Sequence, residues 1–151
     1  MNGVSQFQTG SYDRASVSSF VPEPRHLLVL IAENDELVRA ELRELLDLYS
    51  VGVLEAENAE EAVDLIVREC PNLVLMNAAL PELDGYEAAR LIRSIRSFDR
   101  MPIVFLSAET ERVYRKKALD VGADGFHFAP LDFERLDGIL ENYLFRSDKF
   151  S

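Results

Sequence analysis

A chain of 151 residues, 48% apolar and 28% charged, suits one globular domain and is short for two. Its 16 basic and 27 acidic residues give a net charge of −11, which argues against nucleic acid or an anionic membrane as the main partner. One cysteine, two histidines and no apolar run near ~18 residues exclude an internal disulfide and a membrane-spanning helix, nearly exclude a Cys/His zinc site, and fit a cytoplasmic setting.

The opening residues, MNGVSQFQTGSYDR, have no apolar core behind a basic start, so a secretory signal is not expected. Residues 1–26 are rich in Ser, Gln, Gly and Pro and end in Val21-Pro22-Glu23-Pro24, which cannot run as a helix. They read as a flexible arm, whose anchors on a partner would be Phe7, Tyr12 and Phe20. Asp13 and Glu23 cancel Arg14 and Arg25, which leaves the whole −11 on residues 27–151. A folded domain is expected over 27–146, with 147–151 as a tail.

From Leu27 onward, apolar runs alternate with segments of helical period. The runs are Leu27–Ala32, Val51–Glu55, Leu73–Met76, Ile103–Leu106 and Gly125–Phe128. Three are almost wholly apolar, as strands buried on both faces should be. Val38, Leu42, Leu45 and Tyr49 mark a first helix face, and Ala62, Leu65 and Ile66 a second. Tyr86, Ala89, Leu91, Ile92 and Ile95 mark the third, and Val113, Ala118, Leu119 and Val121 the fourth. Leu136, Ile139, Leu140 and Tyr143 mark the fifth. Asn58, three residues before Glu61, has capping-box spacing, and Gly122 stands where the fourth helix would end. Strand starts at 27, 51, 73, 102 and 125 are 24, 22, 29 and 23 residues apart, one strand–helix unit each. The expected fold is α/β, a single doubly wound five-stranded parallel sheet with helices on both faces. About 120 residues folded so would bury roughly two thirds of their unfolded surface.

In such a sheet, ligands bind beyond the carboxyl ends of the strands. Those ends carry Glu33 to Glu36, then Glu57 and Asn58, then Asn77 to Ala79, then Ser107 to Glu109, and last Ala129 and Pro130. No Lys, His or Cys stands among them, so an activated nucleophile with its base is hard to assemble. No Gly-rich loop follows the first strand, which disfavours a nucleotide site. Glu33 to Glu36 could ligate a metal, but Asp35 and Glu36 also suit the first turn of a helix, where the dipole favours negative charge.

The chain from about Leu27 to Leu144 resembles the receiver domain of bacterial two-component response regulators. VLIAENDELVRAEL resembles that family's first strand, acidic pair and first helix. NLVLMNAALPELDGYEAARLIR resembles the strand of the phosphoacceptor with the Pro and Asp-Gly turn after it. MPIVFLSAE resembles the strand ending in the switch hydroxyl, and ALDVGADGFHFAPLD the Gly-Ala-Asp segment and the strand that ordinarily ends in Lys-Pro. The resemblance implies a flavodoxin-like (βα)5 fold with strand order 2-1-3-4-5, and a cis peptide before Pro130.

By the same resemblance, Glu33 falls on the first acidic position and Asn34 on the second, where the family has a magnesium-ligating Asp. Asn77 falls on the phosphoacceptor Asp itself. Ser107 falls on the switch Ser/Thr, Phe126 on the aromatic switch position, and Ala129 on the Lys that pairs with the phosphoryl group. Asp84 matches the turn Asp and reads as structural. An Asn amide is neutral, its nitrogen lone pair is delocalised, and it cannot serve as the nucleophile. Magnesium wants anionic oxygen ligands, and each lost charge at ~4 Å removes about 4 kcal/mol at an effective dielectric of ~20. Magnesium binding is therefore expected to be weak or absent, and stability nearly independent of it. Amides at 34 and 77 also relieve the repulsion of a carboxylate cluster.

The resemblance with these departures implies a non-enzymatic, stand-alone pseudo-receiver. Such a module would bind signalling proteins, a histidine kinase or another regulator, in the cytoplasm and without phosphorylation. With no room for an output domain after Leu144, it is expected to act through its own surface or its arm. In receivers the signalling face is the fourth helix, fifth strand and fifth helix. Here that face offers Tyr114, Arg115, Lys116, Lys117, Phe126 and His127, and it is also the expected homodimer surface. Two alternatives stay open. One is a ligand sensor using the vacated pocket beside Asn34, Asn77 and Ser107. The other is a working phosphoreceiver with Asp35 or Asp84 as surrogate acceptor, or with Asn77 after deamidation. His127 reads as a partly buried packing residue, and Cys70 as a small buried hydrophobe at a helix end.

Overall fold

The structure is a computed structural model that describes residues 27–108 and 112–145. The expected arm over 1–26 and tail over 147–151 lie outside the described residues. Five strands alternate with five helices: β1 (Leu28–Ala32), α1 (Glu36–Leu46), β2 (Gly52–Ala56), α2 (Ala59–Glu69), β3 (Leu73–Asn77), α3 (Gly85–Arg93), β4 (Ile103–Ser107), α4 (Arg112–Asp120), β5 (Gly125–Phe128) and α5 (Phe133–Leu140). A 3-10 turn at Arg96–Phe98 precedes β4, and a π-helical turn at Glu141–Phe145 closes the described chain. The strands pair in parallel in the order β2-β1-β3-β4-β5, the flavodoxin-like order expected. β2 runs one residue later than the apolar run suggested, with Leu28 opposite Gly52 and Ala32 opposite Ala56.

The period-2 side-chain alternation of the strands sorts the core into two layers. Val29, Ile31, Leu75 and Val104 face α1 and α5, where Leu42, Leu46, Leu136 and Ile139 cover them. Leu30, Val74, Met76 and Phe105 face α2, α3 and α4, against Ala62, Ile66, Ile92 and Ala118. The central strands are buried on both faces, which explains their unbroken apolar runs.

Helix starts follow the acidic and amide residues. The side chain of Asp35 caps α1, accepting from the N–H groups of Leu37 and Val38. Asn58 caps α2 by accepting from Glu61 N at 2.8 Å, while Glu61 reaches back to Glu57 N at 2.7 Å, one residue before the expected box. Asp84 caps α3 and Asp132 caps α5. Arg93, at the end of α3, donates to the carbonyls of Phe98, Met101 and Gly122 and pairs with Asp124 at 2.8 Å. It ties the segments entering β4 and β5 together.

Three apolar residues assigned to helix faces are exposed instead: Leu91 (48%), Val113 (60%) and Leu119 (61%). The buried stripe of α4 is narrower than the apolar count suggested and runs through Tyr114, Ala118 and Val121, at spacings of four and three. Leu91 likewise sits off the stripe of Ala88, Ala89 and Ile92. Cys70 is exposed rather than buried, because it leaves α2 through a left-handed turn with φ of 49°.

Candidate functional site

The carboxyl ends of β1, β3, β4 and β5 enclose a cleft of about 340 Å³. Glu33, Asn34, Asn77, Ser107 and Ala129 all line it, so residues up to 96 positions apart in sequence meet as expected. Parallel strands cause this: each ends at the same edge of the sheet. Asp35 and Asn34 complete the β1 side, and Leu106, Ala108 and Ala79 form apolar wall.

Asn77 is the centre of the polar network. Its Nδ2 donates to Glu33 Oε1 at 3.0 Å and lies 3.2 Å from Oε2. Its Oδ1 accepts from Ala79 N at 2.9 Å. Both ends of the amide are thus matched, acceptor to donor, and its orientation follows from them. Glu33 is only 6% exposed, and its Oε2 also accepts from Asp35 N at 2.9 Å. A buried carboxylate needs such donors, since stripping it of water without them is costly. Replacing the amide nitrogen by oxygen would set a second anion about 3 Å from Glu33.

No Lys, Arg or His is among the residues lining the cleft. Arg39 lies behind the β1 side of it. Its Nη1 donates to the Glu33 carbonyl at 2.8 Å, while its Nε holds Glu55 Oε1 at 3.2 Å. Arg43 joins the same carboxylate at 2.8 Å. Only the β1–β2 pairing brings Glu55 to α1, so local spacing carried no signal of this network. Among the described residues, no group of three or more His, Cys, Asp or Glu is arranged to hold a metal.

The turn after β3 is built by Asp84 and Gly85. Asp84 Oδ1 accepts from Glu87 N at 2.9 Å, which gives the structural Asp a definite role as the cap of α3. A Cβ on Gly85 would stand 2.6 Å from the Asn77 carbonyl oxygen, so only glycine lets α3 start this close to the site. The Ala129–Pro130 peptide is cis.

Ser107, at the end of β4, is 3% exposed and forms part of the cleft wall. Phe126 is 5% exposed and belongs to the core. The Arg115 guanidinium lies over its ring at 5.2 Å and donates to its carbonyl at 3.2 Å. This corrects the expected interaction face: Phe126 is beneath that surface, not on it. Arg115, Lys116 and Lys117 are exposed, and Tyr114 and His127 are half-buried. Lys117 sits over the Tyr86 ring at 4.5 Å, and Lys116 pairs with Asp120 at 3.3 Å. Burial, then Arg135 and Arg115, push the His127 pKa below the usual histidine value.

The sequence matches the response regulator receiver domain over residues 29–141, and the chain belongs to that family. Response regulator MprA of Mycolicibacterium vanbaalenii is 35% identical over 108 residues, 72% of this chain and 46% of that protein. The chain spans 10% to 50% of the length of curated relatives that it matches. Among solved structures, the receiver domain of Saccharomyces cerevisiae Ssk1, bound to the histidine phosphotransfer protein Ypd1, is 26% identical with a TM-score of 0.73, covering 78% of this chain and 88% of that one. The receiver domain of sensor histidine kinase PA1611 from Pseudomonas aeruginosa, with magnesium coordinated in its active-site cleft, is also 26% identical with a TM-score of 0.73, covering 79% and 98%. No helix among the described residues is long and apolar enough to cross a membrane.

Proposed function

We propose that this receiver domain works without aspartyl phosphorylation, as a module that binds other signalling proteins. The Asn77 amide bridging the Glu33 carboxylate carries this reading. Receiver chemistry needs an anionic nucleophile at that position, two acidic ligands for magnesium and a lysine for the phosphoryl group. In this chain those places hold Asn77, Glu33 with Asn34, and Ala129. A neutral amide cannot attack phosphorus, and its N–H groups face the oxygens that a cation would need. Magnesium does not fit this donor set. Phosphate is disfavoured too, since the lining holds Glu33 and Asp35 without a cation. Both surrogate acceptors serve as helix caps, Asp35 through Oδ1 at the edge of the cleft and Asp84 at the start of α3.

The partner on this reading is a histidine kinase, a phosphotransfer protein of the kind that Ssk1 binds, or another regulator. The exposed basic residues of α4 are the candidate contact, and α4, β5 and α5 together are the candidate homodimer face. A second reading, a small neutral polar ligand beside Asn34, Asn77 and Ser107, draws support from the cleft's volume of about 340 Å³. A beryllofluoride titration with Mg²⁺, followed by NMR, tests the main reading. No shifts near Asn77 are expected; saturable shifts there would overturn it.

A further inference from the structure

At the opposite, amino-terminal edge of the sheet lies a larger cleft of about 690 Å³. Val67, Pro71, Phe98 and Met101 make its lining mostly apolar, and Arg100 is the charged residue of that lining. Val67 is 52% exposed. Its rim includes Asn72, which is locked to the start of β1: Asn72 N donates to Leu28 O at 2.8 Å, and Asn72 Oδ1 accepts from Leu28 N at 2.8 Å. The chain before Leu27 therefore joins the domain at the lip of this cleft, far from the site at Glu33 and Asn77.

What precedes that junction matches the cleft in chemistry. Phe20-Val21-Pro22-Glu23 combines two apolar side chains with one carboxylate, against an apolar lining with one guanidinium. Phe20 is seven residues from Leu27, a reach of up to about 23–25 Å. Two prolines, Pro22 and Pro24, narrow the conformations open to an undocked segment, which lowers the entropy lost on docking. A tether this short gives an effective concentration in the mM range, so even weak contacts are occupied.

We infer that residues 20–23 dock in the amino-end cleft of their own chain. Phe20 and Val21 cover Val67, Phe98 and Met101, and Glu23 pairs with Arg100. This inference is independent of the state of the Asn77 site.

Cys70 lines the cleft and is the chain's single cysteine, so its thiol reports on the cover. In the full chain, its reaction with a disulfide reagent should be roughly tenfold slower than in a Phe20→Ser, Val21→Ser variant, a difference of about 1.4 kcal/mol. Amide resonances of Val67, Asn72 and Met101 should shift between the two, and the variant should melt a few degrees lower, as the loss of a contact occupied tenfold requires. Arg100→Glu should unmask the thiol, and Glu23→Arg on that background should mask it again. Equal thiol rates in wild type and the double-serine variant would overturn the inference. Protection that fades on dilution would also overturn it, in favour of the arm of a second copy.

Discussion

The two loops that meet at the carboxyl end of β3 tell different stories. The turn at Asp84 and Gly85 has the residues that a receiver should have, while the cleft beside it, at Glu33, Asn34, Asn77 and Ala129, lacks its chemistry on the reading proposed above. The turn is needed by packing alone, since α3 must begin against the Asn77 carbonyl whatever the cleft does. The cleft residues are free to change once the reaction is dispensable, provided that the buried Glu33 keeps donors. Fold and activity are thus separately written in residues that touch each other.

The largest expected effect falls on the packing side. Gly85→Ala forces a backbone shift and should cost about 3 kcal/mol, read by urea unfolding. A cost below ~0.5 kcal/mol would show that the turn is not so constrained. Arg93→Ala removes three carbonyl contacts and an ion pair, and should cost about 2–3 kcal/mol in the same assay.

On the chemistry side, Asn77→Asp should cost about 2 kcal/mol at neutral pH, since it sets a carboxylate against Glu33. The paired acids would titrate at raised pKa in the folded state. Their penalty should therefore shrink as pH falls and one of them takes up a proton. A variant as stable as wild type at pH 7 would contradict the role given to the amide. The smallest effect belongs to His127. Its lowered pKa makes the folded state bind fewer protons than the unfolded chain. Its stability contribution is complete above the unfolded value near ~6.5 and is lost as pH falls toward the folded one. His127→Gln should flatten the stability profile below about pH 6.5 and leave it unchanged above.

The alternation of strand and helix and the strand-end residues are legible in the sequence itself, while the strand order and the choice of the five cleft positions come from the resemblance to receivers. Apolar runs report burial on both faces, and parallel strands bring their ends together. Asn58 and Asp35 announce helix starts because caps act within three residues. What stayed hidden depends on distant partners. Arg39 and Arg93 look like ordinary surface arginines until β2 and β5 bring Glu55 and Asp124 to them. Val113 and Leu119 satisfy an apolar count but not the angle of the buried stripe. The resemblance puts Phe126 on the interaction face with the rest of β5, yet it packs beneath Arg115. Cys70 looked buried by residue type, but the left-handed turn carries it outward.

The most direct test of the central claim is intact-mass analysis of the full chain after incubation with acetyl phosphate and Mg²⁺. The triple variant Asn34→Asp, Asn77→Asp, Ala129→Lys serves beside it as the restored comparison. The account predicts no mass gain in the wild-type chain and a gain of one phosphoryl group in the variant. A phosphoryl group on the wild-type chain would contradict it.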